Sequence, residues 1–458
     1  MKDIYLRFNS EKEMREQLIK SGFVENEGGF FLSGVCVDVV GVIYSQQNND
    51  ADNPEYIAQP GWHVNIRIFE SDISLDELIP FVVEPKSPFS RLGIIMDDIV
   101  TLRVNGREWG GWTSVRIGAG IERLARDFSV ELTRQWPGEN SDGSLQPKVK
   151  NGDKVEVLIG SDLVITGWVE ATPVRYDATS ISVGISGRSL TADLIDCAAD
   201  PTQFSGQSLV QIAAALAKPF GIEVVNAGAP SGTIPGVQPD HGETVIEVIN
   251  KMLGHQQALA YDDPLGRLVI GSIGSNRATT ALVLGQNILT CDTEKSIRER
   301  FSSYQVSGQR AGNDDDFGAA TTTALRAKTI DASITRYRPM AVQQTGQATG
   351  ASCIARAEFE ARQRAARTDE TTYTVWGWRQ GDGTLWQPNQ RVIVFDPVCG
   401  FNNAEMLISE VTFSKGVSGL DSNGTITELR VGPPDAYLPE PEDPDKRRKK
   451  KTSDEAPF

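Results

Sequence analysis

The sequence predicts an α+β protein that is mostly β. It reads as two small β-barrel domains with an inserted α+β module, plus a small α+β unit at the N-terminus. Three observations predict this. Glycine supplies 43 of 458 residues and hydrophobic residues 39%, which suits a turn-rich β protein better than a helical bundle. Short runs of alternating apolar and polar residues occur on both sides of the chain's middle. Two helix-capping signatures fall together between residues 193 and 275. At roughly 150 residues per domain the length allows about three domains.

Residues 1–95 form the first unit. Ile4 to Phe8 alternates as a strand, and Ser10 is placed to cap a short helix beginning at Glu11. Gly61 to Phe69 alternates again, and Pro85, Pro88 and Gly93 then break the pattern. Met96 stands directly before a new strand at Ile99 to Leu102 and reads as the start of a second polypeptide. Two accounts fit: a fusion of two reading frames, or an ordinary two-domain chain with a methionine in its linker.

Residues 96–192 read as the first barrel. Lys154 to Ile159 and Leu163 to Val169 flank Gly160-Ser161-Asp162, a hairpin with a three-residue loop, and Ile181 to Ile185 adds a third strand. Residues 193–275 change character. Ser208 with Gln211, and Thr244 with Glu247, each have capping-box spacing. Leu209, Ile212, Ala213 and Leu216 share one helical face, as do Val245, Val248, Ile249, Met252 and Leu253. Gly254 is placed to end the second helix. A hairpin follows, from Ala258 to Tyr261 and from Leu268 to Ile270.

Residues 276–438 read as the second barrel, with one Ala- and Arg-rich helix near 352–367. Asn313 to Asp316 and the threonines at 321–323 read as a solvated loop, because three consecutive Asp lack the spaced ligands of a calcium loop. A weak repeat links the barrels. Lys154 to Val157 resembles Arg391 to Val394, Leu163 to Thr166 resembles Met406 to Ser409, and Val183 with Ile185 resembles Leu429 with Val431. Residues 439–458 read as a disordered charged tail, where six basic residues at 446–451 are balanced by six acidic ones.

Composition excludes several function classes. The 61 acidic residues outnumber the 45 basic ones, for a net charge of −16. That argues against a surface built to grip nucleic acid or an anionic membrane. The longest apolar stretch, Phe30 to Tyr44, is too short and too interrupted by Asp38 and Gly41 for a membrane helix. No N-terminal apolar segment resembles a secretory signal. The five cysteines, Cys36, Cys197, Cys291, Cys353 and Cys399, contain no CxxC pair, which argues against a disulfide scaffold or a structural zinc site. The three histidines, His63, His241 and His255, lie in no HExxH motif. Neither a GxSxG elbow nor a phosphate-binding loop occurs. Trp376, Trp378 and Trp386 could form a sugar-stacking surface, but core or interface is the better reading. No catalytic, cofactor-binding or metal-binding residue is singled out.

Gly111 to Val115, Gly187 to Ala198, Leu282 to Thr290, Arg298 to Tyr304, Thr335 to Met340, and Gly377-Trp378 followed by Leu385 to Asn389 form an ordered set of stretches. In this order they resemble the baseplate hub proteins of phage Mu and its relatives. The resemblance covers about residues 97–438. Residues 1–95 resemble a small protein of unknown role from phage tail gene clusters.

This resemblance implies a non-enzymatic structural protein of a contractile tail, without cofactors, acting in the virion baseplate and assembled in the host cytoplasm. It implies a homotrimer whose partners are the tail spike, the tail tube or its distal initiator, and other baseplate proteins, with no direct membrane insertion and no nucleic-acid role. A sixfold tube meeting a threefold spike needs an adaptor with six similar faces on one side. Three chains carrying two similar barrels each would supply them. The alternative from another class is a tail-associated peptidoglycan hydrolase or glycan-binding module.

Overall fold

In the computed structural model the described residues are 2–83, apart from 27–28, 33–34, 43, 47–55, 59 and 69–74, and 99–438, apart from 136–148, 177–179, 235, 257, 310–324 and 417–423. Met96, the Asp314 to Asp316 run and the charged tail lie outside the described residues. The protein is mostly β, with a few small helices.

The N-terminal unit has its own core. Strand Trp62–Ile68 runs between Lys2–Phe8 and Val35–Gly41, antiparallel to both. Helix α1, Glu11–Lys20, starts where Ser10 accepts from the Glu13 backbone N–H at 3.2 Å. Met14 and Leu18, one turn apart, bury the same helical face against Leu6, Phe8, Val64, Ile66 and Leu78. Because that cluster draws on this unit alone, deleting residues 1–95 is expected to leave a cooperative unfolding transition in the remainder. Its midpoint should move by less than about 4 °C, under roughly 1 kcal/mol. Loss of cooperativity in a thermal scan would show that the unit props up the rest.

The strands expected in two separate barrels are hydrogen-bonded into one sheet of fourteen. Its path runs through Ile288–Thr293, Thr371–Trp376, Thr425–Gly432 and Phe401–Lys415. It continues through Ser114–Gly120, Asp127–Gln135, Ser180–Ser189, Asp162–Ala171, Lys154–Ile159, Val100–Val104 and Arg107–Trp109. The join is the antiparallel pairing of Ser114–Gly120 with the far half of Phe401–Lys415, from Val115 opposite Lys415 to Gly120 opposite Glu410. At fifteen residues, Phe401–Lys415 is long enough to pair first with Arg391–Asp396 and then with two further strands. One apolar cluster therefore runs through both halves, from Val100, Leu102 and Val157 to Trp378, Val394 and Leu429.

The repeat appears as strand order. Lys154–Ile159, Asp162–Ala171 and Ser180–Ser189 pair in sequence, as do Arg391–Asp396, Phe401–Lys415 and Thr425–Gly432. The residue-by-residue correspondence does not extend to register, since Lys154 faces Trp168 whereas Arg391 faces Leu407. The first hairpin is also tighter than expected. Ile159 pairs with Asp162, so only Gly160 and Ser161 turn, with Gly160 at φ 59°.

The inserted module contains helices α2, Ala192–Asp196, α3, Leu209–Ala217, and α4, Val245–Gln256. Both capping boxes form: the Gln211 N–H reaches Ser208 Oγ at 3.3 Å and the Thr244 N–H reaches Glu247 Oε2 at 2.8 Å. Gly254 does not end α4, which continues to Gln256. Isolated glycine is tolerated inside a helix at a cost of about 1 kcal/mol. Beside the expected hairpin, Val224–Ala227 joins Leu268–Gly271 in parallel, a pairing that needs a crossover connection, and α4 lies in it.

Within residues 276–438 a second small α+β layer stands apart from the large sheet. Ser303–Gln309 lies between Arg326–Ile330, antiparallel to it, and Pro339–Gln347, parallel to it. Helix α5, Gly350–Arg367, begins in a capping arrangement between Thr349 and Ser352. It buries Cys353 and Ala357 against Val306 and Leu325.

Candidate assembly surfaces

Arginine side chains tie the parts of the body together. Arg126 precedes the strand Asp127–Gln135, and Asp262 ends the module's strand Leu259–Asp262. Their side chains meet with Nε 3.2 Å from Oδ1, at 10% and 1% exposure. The Arg126 backbone N–H donates to Asp262 Oδ2 at 2.9 Å, and its guanidinium also reaches the Val164 carbonyl at 3.1 Å. Arg379, from the second half, donates to Asp162 at 2.6 Å and to the Ile159 carbonyl at 3.2 Å in the first-half hairpin. Arg123 bridges Asp127 and Glu410 across the join. Arg367 on α5 reaches Glu122 at 2.9 Å. The planar guanidinium suits such junctions, because it donates in several directions at once. The exposed pairs contribute little individually, but together they fix how the parts meet.

Surfaces open to another chain lie at strand edges. Arg326–Ile330 is an outer strand of its sheet, with Ile330 at 68% exposure. Beside it an open groove of about 490 Å³ is lined by Ile330, Asp331, Glu358, Ala361, Arg362 and Ala365. Val174–Tyr176 is a second short, exposed strand. Edges of this kind offer backbone groups to a neighbouring protein.

The residues singled out in the sequence disperse. His63 is buried, with Nδ1 3.1 Å from the Gly41 carbonyl, and burial lowers its pKa. His241 is exposed in a turn of the inserted module. Position 255 lies in α4. Trp378 and Trp386 are core residues, at 1% and 3% exposure, and Trp376 is half-buried, so the three form no shared sugar-stacking platform.

One constellation escaped sequence reading. Cys291 Sγ lies 3.4 Å from Cys399 Sγ, and the Asp396 carboxylate completes a group whose candidate ligand atoms all lie within 4.8 Å of one another. Cys291 comes from Ile288–Thr293, while Asp396 and Cys399 flank the turn after Arg391–Asp396. Asp396 is held in place by the Tyr373 hydroxyl at 3.0 Å and the Val398 and Cys399 N–H groups at 3.0 and 3.2 Å. Burial, then hydrogen bonding to Asp396, pushes the Cys399 thiol up to about 12, and burial raises Cys291 as well. Neither is therefore an activated nucleophile. A spacing of 108 residues gives no local signal that these cysteines meet.

Baseplate hub protein gp44 of Escherichia phage Mu is 34% identical over 362 residues, covering 77% of this chain and 93% of its own. The chain belongs to the family of Mu-type baseplate hub proteins of phage tails. Three domain families agree in chain order. The Mu phage baseplate assembly protein GpP-like N-terminal domain matches residues 99–189. The gp44-like baseplate hub second domain matches 191–272, and the GpP fourth domain matches 349–440. Among solved structures, the 43 kDa tail protein of prophage MuSo2 from Shewanella oneidensis is 31% identical, with a TM-score of 0.66. That similarity covers 75% of this chain and 100% of the prophage protein. A tail protein from Neisseria meningitidis MC58 is 27% identical, with a TM-score of 0.59 over 74% of this chain and 99% of its own. The resemblance read from the sequence is thus correct as to family, and the hub fold is shared with these tail proteins.

Proposed function

We propose that this hub protein is a homotrimeric adaptor, joining a sixfold tail tube to a threefold spike in the virion baseplate after assembly in the host cytoplasm. The observation that carries the reading is the repeated three-strand meander. Lys154–Ile159, Asp162–Ala171 and Ser180–Ser189 pair antiparallel in that order, with the short Val174–Tyr176 between the last two in the chain, as do Arg391–Asp396, Phe401–Lys415 and Thr425–Gly432, and one sheet holds both sets. A chain with two similar faces, repeated three times about an axis, offers six. Arg123, Arg126 and Arg379 hold the two faces and the inserted module in fixed relation, as an adaptor bearing contraction forces needs. Exposed edges such as Arg326–Ile330 suit closure of the ring between subunits.

The partners in this reading are two further copies of the chain, the spike, the tube or its initiator, and neighbouring baseplate proteins. No enzymatic role is assigned. The glycan-binding reading loses two of its three tryptophans, since Trp378 and Trp386 are buried in the core. Light scattering of the full chain is expected to give about three times the chain mass at micromolar concentration. A monomer both alone and in the presence of the spike protein would overturn the reading. A clearing band in a peptidoglycan zymogram would favour the hydrolase.

A further inference from the structure

We propose that Cys291, Cys399 and Asp396 form a binding site for a zinc ion. The ion would clasp the edge strand of the large sheet to the turn that follows Arg391–Asp396. The donor set is two sulfurs and one carboxylate, which suits a borderline-soft divalent cation.

The separation of the sulfurs is close to that of two thiolates sharing one ion. Two thiolates on a tetrahedral zinc, at about 2.3 Å each, stand roughly 3.8 Å apart. The observed 3.4 Å needs a small outward adjustment to reach that spacing. A disulfide, at about 2.05 Å, would need a far larger inward one.

The carboxylate is oriented as a ligand should be. The Tyr373 hydroxyl binds Asp396 Oδ2, and the Val398 and Cys399 N–H groups bind Oδ1. Oδ2, with one donor, keeps acceptor capacity for a cation, and such outer contacts fix the orientation of a metal-bound carboxylate. Asp396 is 1% exposed, whereas Cys291 lies at the surface and gives the ion a path in. Lys295 donates to the Cys399 carbonyl at 2.7 Å and stacks on Phe401, which steadies the turn from the other side. On binding, zinc replaces the two thiol protons, which leave to solvent as two H⁺ per ion, and water takes the fourth position. No electron is transferred.

The test uses the full chain, purified under reducing conditions and stripped of metal. Cobalt(II) serves as a spectroscopic substitute for zinc. One equivalent per chain is expected to give thiolate-to-cobalt charge-transfer absorption, with the visible bands of a tetrahedral ion, and zinc should abolish both. Zinc alone should raise the melting midpoint, since a ligand that binds only the folded state stabilises it. Cys291→Ser should remove the charge-transfer band and the zinc-dependent shift, and the metal-free variant should still unfold cooperatively. Cys197→Ser should keep both. Tyr373→Phe, which keeps the ring and removes only the hydroxyl, should weaken binding by about tenfold or more. The proposal fails if cobalt gives no charge-transfer absorption in the wild-type chain. It also fails if Cys291→Ser binds as well as wild type, or if the two sulfurs are found joined as a disulfide that forms in preference to the metal site.

Discussion

Asp262→Ala is expected to lower the stability of the folded chain by about 3–5 kcal/mol, the cost of leaving a buried charge without its partner. Arg126 is 10% exposed at its side chain and cannot turn to water when Asp262 is lost. Burial pushes the Asp262 carboxyl upward, and the Arg126 charge with its N–H donors opposes that push. The pair joins the inserted module to the large sheet, so its loss should loosen one part against the other. Denaturant unfolding followed by tryptophan fluorescence measures the change. Asp262→Asn keeps the shape and an acceptor and should cost less than alanine. The double replacement Arg126→Met with Asp262→Leu should cost less than Asp262→Ala, because no charge is left orphaned. A cost under about 1 kcal/mol for Asp262→Ala would mean that the pair does not hold the module in place.

Trp378→Ala should cost a similar amount, about 3–5 kcal/mol, through loss of a large buried ring. Trp378 is 1% exposed and meets Phe413 edge-on, with ring centroids 6.1 Å apart. Its Nε1–H donates to the Ser414 carbonyl at 3.2 Å and the Ile426 carbonyl at 3.0 Å. Ser414 also lies opposite Arg116 in the join between the two halves of the sheet. The ring therefore supports the strand on which the join depends. Trp378→Phe retains most of the packing and removes the donor, for about 1–3 kcal/mol. Thermal unfolding orders the two variants, and an equal loss for both would assign the effect to the N–H group rather than to the ring.

Helix caps and strand alternation are legible in the sequence because the groups that set them lie a few residues apart. Ser10, Ser208 and Thr244 each satisfy N–H groups within three residues, so their helix starts are legible without knowledge of the fold. Alternation marked Lys154–Ile159 and Arg391–Asp396, because one face of each strand is buried and the other less so. Trp378 was readable as core because so large an apolar surface gains most from burial. Gly254 misled, since a glycine marks a possible helix end but α4 gains more by carrying its apolar face onward to Gln256. The layer of Ser303–Gln309 with α5 was missed because its parallel partner, Pro339–Gln347, is remote in the chain and carries no turn signature.

By itself, then, the sequence determined the mostly β class, the helix starts after Ser10, Ser208 and Thr244, the order of the three paired strands in each half and the family. Each follows from groups a few residues apart or from stretches long enough to compare. Only the tertiary structure decided that the two halves share one sheet through Val115 and Lys415. It alone brought Arg126 to Asp262, 136 positions away, and Cys291 to Cys399. The physical reason is the same in each case. A contact between remote residues has no local pattern of its own, and it forms because the whole chain must close its strands and bury one continuous apolar core.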